Sequence, residues 1–387
     1  MSANKIGAKR IGIIGAGQLA QMLAQAGETL GIEFAFVAPE KDACAAPYGK
    51  LFVYPYLDPK AEEALGSWSD LITYEFESIP VSLVEALEAK MAVHPSSNAL
   101  TLASDRLNEK TMFNQQGIET AQFTTVDSLS DLEAAAEKVG LPAILKTRRD
   151  GYDGKGQVVI REENQLAAAW ETLSPVACIL ESMVSFKREV SIIASRNLDG
   201  EIAFYPLAEN YHREGILRLS LSLQNDPKQQ EAEQIIRKVM EQIGYVGTMA
   251  VELFDLGDKL AANELSPRVH NSGHWSMDGT IASQFKNHLL AITNQPLQDT
   301  SVQNATAMIN LIGSIPDKKL VAAIPNAVLY DYGKKPKPGR KVGHINLTAD
   351  GNNDENFIPN VIKLLNMVGQ QELVGELLKS NFYNHKK

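Results

Sequence analysis

Cysteine is nearly missing: Cys44 and Cys178 are the only two in 387 residues. Neither has metal-ligand spacing around it, so both read as reduced, structural thiols of a cytoplasmic protein. No apolar run reaches the roughly 18 residues that a spanning helix needs, which excludes a membrane partner. The start, MSANKIGAKR, lacks an apolar stretch with a small-residue cleavage site, so no secretory signal is expected. Positive charge is in deficit, with 37 Lys and Arg against 47 Asp and Glu and a net charge of −10. That excludes broad nucleic-acid binding, which needs a basic face. It leaves room for a local basic cluster that captures a small anion. Internal repeats and low-complexity segments are absent, and no Ser-His-Asp or Cys-His arrangement is evident. The hydrophobic fraction of 44% and charged fraction of 22% instead suit a soluble globular chain, long enough for two or three domains.

The first hundred residues alternate strand-like and helix-like patterns. Arg10 to Ile14, Phe34 to Val37, Leu71 to Tyr74 and Met91 to His94 read as strands, and Val81 to Lys90 as a helix. Such alternation implies a parallel sheet covered by helices. Ser104 to Gln116 is a helix-compatible boundary. Beyond it, strands come as hairpins: 143–147 with 157–160, 189–195 with 202–206, and 247–254 with 259–265. Hairpins with helices between them indicate an α+β unit. A small β-rich unit follows, with a helix expected near Val361 to Met367. The expected units are 1–103, 104–300 and 301–387.

Five stretches carry chemistry. Gly15-x-Gly17 between a strand and a helix is a phosphate-friendly turn. A dinucleotide site would want an acid about 20 residues on, but the next strand ends in Ala38-Pro39, so a dehydrogenase fits poorly. The turn serves either as a plain corner or as part of a smaller substrate's site. Lys146 to Gln157, with three glycines between β-type runs, is too long for a simple hairpin turn. It suits a mobile loop that wraps a polyphosphate with backbone N–H groups, with Lys146 as a point charge. It is no Walker A motif, and a solvated loop is the alternative. Glu252 and Glu264 fall opposite each other about the turn at Gly257-Asp258. Facing like charges in apolar surroundings favour a cation between them, and oxygen ligands with phosphates favour magnesium. A solvated edge pair is the alternative. Last, Ser266 to Trp275 is dense in donors, and 334–344 concentrates basic residues among prolines and glycines. Arg268 suits a phosphate in a fork geometry. The basic run suits either anion capture or a solvated face.

Taken together, GYDGKGQ, NELSPRVHNSGHW and PGRKVGHINLT, with GAGQLAQM and TYEFE earlier, resemble the 5-(carboxyamino)imidazole ribonucleotide synthases, ATP-grasp enzymes of purine biosynthesis. The resemblance runs in order over nearly the whole chain. PRVHNSGHW and GRKVGH are its specific strings, whereas GYDGKGQ is shared more widely among ATP-grasp proteins. It implies an α/β N-terminal domain with a parallel sheet, an α+β ATP-grasp domain and a small C-terminal β-rich domain. It also implies ATP, Mg2+, bicarbonate and aminoimidazole ribonucleotide as ligands, and a homodimer. Nucleotide contacts would fall on Arg106, Lys146, Gly151, Tyr152, Asp153, Gly154, Lys155, Gly156, Gln157, Glu181, Ser182, Met183, Val184, Glu189, His212, Asn263 and Glu264. Magnesium would fall on Glu252 and Glu264. The imidazole ribonucleotide would lie among Gln18, Leu19, Glu75, Tyr152, Arg268, His270, Asn271, Lys334, Arg340 and Lys341. Of these, Lys334, Arg340 and Tyr152 would act on the reacting groups. The family turn Gln-Leu-Gly-Arg-Met reads Gln18-Leu19-Ala20-Gln21-Met22 here, which removes an arginine and its charge from that position. GRKVGH sets the resemblance apart from glycinamide ribonucleotide transformylases and biotin carboxylases. The paired acids argue against a nucleotide-binding regulator without turnover.

Overall fold

The computed structural model of the protein describes residues 9–151, 154–173, 176–351 and 354–380. The first unit holds β1 (Arg10–Ile14), α1 (Gln18–Glu28), β2 (Glu33–Ala38), β3 (Lys50–Val53), α2 (Pro59–Trp68), β4 (Leu71–Tyr74), α3 (Val81–Glu88) and α4 (Ser97–Ala103). Its strands pair in parallel in the order β3-β2-β1-β4. The segment Met91 to His94, expected as a strand, makes a single parallel bridge, Ile72 to Val93. Strand β3 escaped the sequence reading because its four residues, KLFV, are only partly buried and show no alternation of apolar and polar positions.

Next come α5 (Arg106–Gln115), β5 (Phe123–Val126), α6 (Leu129–Val139), β6 (Ala143–Thr147), β7 (Gln157–Ile160), α7 (Leu166–Leu173) and β8 (Cys178–Ser182). The four strands form a small antiparallel sheet, β5-β8-β6-β7. Its own core joins Leu132 and Ala135 of α6 to Leu145, Ile160 and Leu180.

The remaining strands are β9 (Arg188–Arg196), β10 (Ile202–Phe204), β11 (Ala208–Arg213), β12 (Ile216–Ser222), β13 (Gly247–Asp255), β14 (Leu260–Ser266), β15 (Thr306–Ile312), β16 (Ala327–Asp331) and β17 (Lys341–Thr348). Among the described residues they form one nine-stranded sheet, β14-β13-β9-β11-β12-β15-β17-β16, with β10 on β9. The strands after Met308 therefore extend this sheet through the β12–β15 pairing instead of closing a sheet of their own. α8 (Gln229–Gln242) buries Ala232, Ile235, Ile236, Val239 and Met240. That is the spacing of one apolar helical face, and each fully buried aliphatic side chain contributes roughly 1.5–3 kcal/mol.

Two short helices, α9 (Ser276–Gly279) and α10 (Gln284–Ile292), follow β14. Phe285 and Leu289 of α10 share a core with Ala16, Leu19 and Met22 of the first unit and with Tyr332. The same core takes in Leu71 and Val269, and so brings the glycine turn, β4, the segment after β14 and the start of the basic run to one place. His288 of α10 also crosses the junction. Its Nδ1 accepts from Thr248 N at 3.1 Å, so the proton sits on Nε2, 3.0 Å from Thr73 Oγ1. Burial pushes His288 down to about 3. An unfolded histidine titrates near ~6.5, so below that pH the unfolded chain binds a proton that the folded one refuses. Each unit of acidification then costs about 1.4 kcal/mol at this group. Chemical denaturation of wild type and His288→Gln should show their stability gap narrowing by about 1 kcal/mol between pH 6.5 and 5.5. A constant gap would contradict the neutral, buried imidazole.

Candidate active site

Helix α5 presents three side chains to the site at helical spacing, Arg106, Glu109 and Lys110. Asp105 caps it by accepting from Leu107 N, and Asp105 also binds Arg148 through two hydrogen bonds of 3.0 and 2.7 Å. Arg106 N donates to Arg148 O, which fixes the base of the glycine loop to the start of α5. Arg106 Nη1 reaches Glu264 Oε2 at 3.1 Å. Lys110 and Lys146 both meet Glu181 Oε2, at 3.2 and 2.9 Å. Burial, with Lys110 and Arg106 close by, holds Lys146 below its ordinary value. Burial alone would raise Glu181, but the two lysines outweigh it and hold that carboxyl low. Its other oxygen, Oε1, is buried and has no hydrogen-bond partner among the described residues. Such an acceptor wants a donor from a ligand.

The glycine loop joins β6 to β7, closed at its base by Thr147 N donating to Gly156 O at 2.8 Å. Gly154 and Gly156 take φ of +75° and +70°, and Asp150 takes +62°. Tyr152 and Asp153 lie outside the described residues; Gly151, Gly154, Lys155, Gly156 and Gln157 are within them. Ser182, Met183 and Val184 form the step from the small sheet to the large one, with Met183 N bound to Pro142 O at 3.1 Å.

The acids sit on β13 and β14. A regular hairpin continued from the Asp255–Leu260 pair would set Asn263 opposite Glu252. A bulge at Asn263 shifts the register so that Glu264 faces Glu252 instead, a re-aiming that bulges commonly perform. Burial raises Glu252, and Glu264 and Glu189 add to the rise. Burial and Glu264 also push Glu109 up to about 8. Crowded, desolvated carboxylates of this kind fit a divalent cation, which would relieve the repulsion. Around them, His212 Nδ1 lies 2.9 Å from Glu189 Oε2. Burial opposes charge on His212, but the Glu189 and Glu252 carboxylates outweigh it and raise the imidazole. His270 Nε2 lies 3.5 Å from Glu252, and its Nδ1 accepts from Ser272 N.

The other half of the site faces the first unit. The glycine turn's own amides are taken: Gly17 N and Ala20 N both donate to Glu75, which follows β4. The helix terminus thus cradles an internal carboxylate, and a Cβ at Gly15 would stand 2.5 Å from Glu75 Cγ. Lys334 Nζ donates to Gln18 Oε1 at 2.6 Å, bringing the basic run onto the turn, with Leu19 buried beneath. Burial and the nearby Arg340 charge hold Lys334 below its ordinary value. Arg340 is exposed, and its Nη1 donates to Lys335 O at 3.4 Å. Lys341 begins β17 and acts electrostatically on Glu252 and His270. Arg268 is gripped by both oxygens of Glu77. Asn271 exchanges two amide hydrogen bonds with Asn310, at 3.1 and 2.7 Å, and so is tied to β15.

Sequence reading missed Asp105, Glu109, Lys110 and Glu77. Glu109 and Lys110 stand three and four residues after Arg106, so helical periodicity alone placed them on its face. Glu77 stands two residues after Glu75, within the TYEFE string already singled out. No group of three or more His, Cys, Asp or Glu residues is poised for a metal among the described residues. A cation here would rest on the two facing acids and on oxygens from its ligand.

A hairpin-borne acid pair, a glycine loop between antiparallel strands and a lysine–glutamate cluster between two sheets define an ATP-grasp architecture. Family models agree: a ribonucleotide synthetase preATP-grasp domain matches residues 8–104, an ATP-grasp domain 111–285 and a phosphoribosylaminoimidazole carboxylase C-terminal domain 306–355. Within that class the chain belongs to the N5-carboxyaminoimidazole ribonucleotide synthase family. The Pseudomonas aeruginosa member is 47% identical over 338 residues, covering 87% of this chain and 94% of that protein. The crystal structure of the Thermus thermophilus synthetase superposes with a TM-score of 0.88 at 44% identity, covering 92% of this chain and 98% of that one. The Aspergillus clavatus enzyme, crystallised with ADP and 5-aminoimidazole ribonucleotide, matches with a TM-score of 0.85 at 27% identity, covering 94% and 99%.

Proposed function

We propose that this chain carboxylates 5-aminoimidazole ribonucleotide with bicarbonate at the expense of ATP, giving 5-(carboxyamino)imidazole ribonucleotide, ADP and phosphate in purine biosynthesis. It would do so as a cytoplasmic homodimer, in three units at 1–103, 104–300 and 301–387. One observation carries the reading: Lys146, Lys110 and Glu181 cluster beside Arg106, which reaches Glu264 of the facing acid pair, while Arg268 and Lys341 act electrostatically on that pair and Lys334 shares Glu75 with Arg268. A kinase needs only the first half. A ligase that activates a small oxyanion needs both.

In this reading, a bicarbonate oxygen attacks the γ-phosphorus, the bond to the β-phosphate oxygen breaks, and ADP leaves. The product is carboxyphosphate. The aminoimidazole nitrogen then attacks its carbon, phosphate leaves with the electron pair of the C–O bond, and the nitrogen loses a proton. Magnesium, held by Glu252 and Glu264, would neutralise charge on the phosphates. Lys146 and the loop amides of Gly154 and Gly156 would position the γ-phosphoryl group, since such transfers rest on placement and charge. Glu181 Oε1 would accept from the base, with Ser182 to Val184 alongside. Arg106, Glu189, His212 and Asn263 would complete the nucleotide site. Tyr152, Arg340 and Lys334 would hold the oxyanion, and loop closure would exclude water from labile carboxyphosphate. Gln18, Glu75, His270 and Asn271 would line the ribonucleotide side.

Bicarbonate labelled with 18O tests the chemistry. One labelled oxygen should appear in the released phosphate, because the attacking oxygen stays on phosphorus. Unlabelled phosphate would mean that water is the nucleophile and would sink carboxyphosphate. The loop assignment has its own test. A Cβ at Gly156 would stand 2.6 Å from Thr147 Oγ1, at a left-handed φ. Strain of about 1–3 kcal/mol should make Gly156→Ala raise the KM for ATP about tenfold or more. An unchanged KM would remove the loop from the nucleotide site.

A further inference from the structure

Glu77 has no place in the reaction as proposed, yet it makes a bidentate contact to Arg268. It comes from the first unit, in the bent segment after β4. It crosses to Arg268, which follows β14 in the large-sheet unit. One carboxylate oxygen takes the Nε proton and the other takes an Nη2 proton, the latter at 2.8 Å. Arg268 Nη1 donates to Val269 O at 3.1 Å. A guanidinium has five N–H groups in a fixed plane. Among the described residues three are held by these contacts, so two remain, one on each terminal nitrogen.

Left unheld, Arg268 would have other partners. Glu264 and Glu75 both attract it electrostatically, and either would draw the guanidinium out of the cleft's cationic face. A bidentate arginine–carboxylate pair fixes the plane of the guanidinium as well as its position. Glu77 itself is held in the ionised state: burial opposes the charge, but Arg268 outweighs it and keeps the carboxyl below its ordinary value. The Arg268 side chain is 15% exposed and that of Glu77 30%.

From this we infer that Glu77 is a positioning residue: it locks the plane of Arg268 so that the two remaining N–H groups meet a substrate oxyanion, and it makes that alignment depend on docking of the first unit. The inference rests on the carboxylation reading. The oxyanion is either bicarbonate with its phosphorylated form or the ribonucleotide phosphate. Both present paired oxygens to a planar fork, and separate Michaelis constants distinguish them.

The test uses the full chain and steady-state ADP release with bicarbonate, aminoimidazole ribonucleotide and ATP varied in turn. Glu77→Ala should raise the KM of one oxyanion substrate at least tenfold and leave the KM for ATP within twofold. A rise confined to bicarbonate assigns the fork to the carboxyl donor; a rise confined to the ribonucleotide assigns it to the phosphate. Glu77→Asp, which can still form a bidentate pair, should recover part of the loss. Introduced into an Arg268→Lys background, Glu77→Ala should cost far less than it does in wild type, because residues acting through one another are not additive. Three outcomes would overturn the inference: wild-type constants in Glu77→Ala, a parallel rise in all three KM values with a lowered Tm, or losses that multiply in the double variant. Wild-type enzyme without bicarbonate- and ribonucleotide-stimulated ADP release would overturn both this inference and the reaction. An active wild type with an indifferent Glu77 overturns the inference alone.

Discussion

Glu264→Gln is expected to lower kcat by about a thousandfold, roughly 4 kcal/mol of barrier, while the protein stays folded. The substitution keeps the shape and leaves an oxygen to accept from Arg106, whose Nη1 lies 3.1 Å away. What it removes is one of two carboxylates that face each other across β13 and β14, and with it half of the charge available to a divalent cation. Removing that charge also relieves repulsion, because Glu264 helps to raise both Glu252 and Glu109. Tm should therefore stay level or rise as activity falls. This opposite movement separates a metal ligand from a structural acid, whose loss would lower both. Wild-type turnover of Glu264→Gln at saturating magnesium would sink the assignment.

Lys146→Met should be the second large effect. Lys146 and Lys110 converge on one oxygen of Glu181, and methionine keeps the length of the stem without its charge. Breaking a buried ion pair usually costs about 3–5 kcal/mol, but Lys110 still neutralises Glu181, so the stability loss should be smaller. The kinetic loss should not be so buffered. A lysine already held below its ordinary value by burial is poorly solvated and gains from an incoming phosphate. kcat/KM for ATP should fall by about two to three orders of magnitude, with the KM for bicarbonate little changed. Equal losses for both substrates would place Lys146 outside the nucleotide site.

Much of the site could be read from the sequence because its parts are local. The glycine loop lies between two strands that pair with each other, and the acid pair lies within one hairpin, so short-range patterns suffice. The pairings that no local pattern shows depend on long-range contact. The Lys334–Gln18 bond joins residues 316 positions apart, and the Arg268–Glu77 pair joins residues 191 apart. No periodicity reports such meetings. The bulge at Asn263 escaped for another reason. Symmetry about the turn put Glu252 opposite Glu264 correctly, but a regular ladder cannot produce that pairing from the Asp255–Leu260 end. The glycine turn shows the limit of motif reading: the pattern fits a plain corner as well as part of a substrate site, and two of its amides, Gly17 N and Ala20 N, bind Glu75. The final strands match a C-terminal domain of their own at 306–355, and their attachment to the large sheet through the β12–β15 pairing is a long-range contact that no local pattern shows.

The most direct measurement is magnesium-dependent ADP release with bicarbonate present, with and without 5-aminoimidazole ribonucleotide. A large stimulation by the ribonucleotide that disappears when bicarbonate is removed is the predicted result. No stimulation, with ADP released in response to a different amine or acid, would contradict the assigned substrate while leaving the nucleotide site intact.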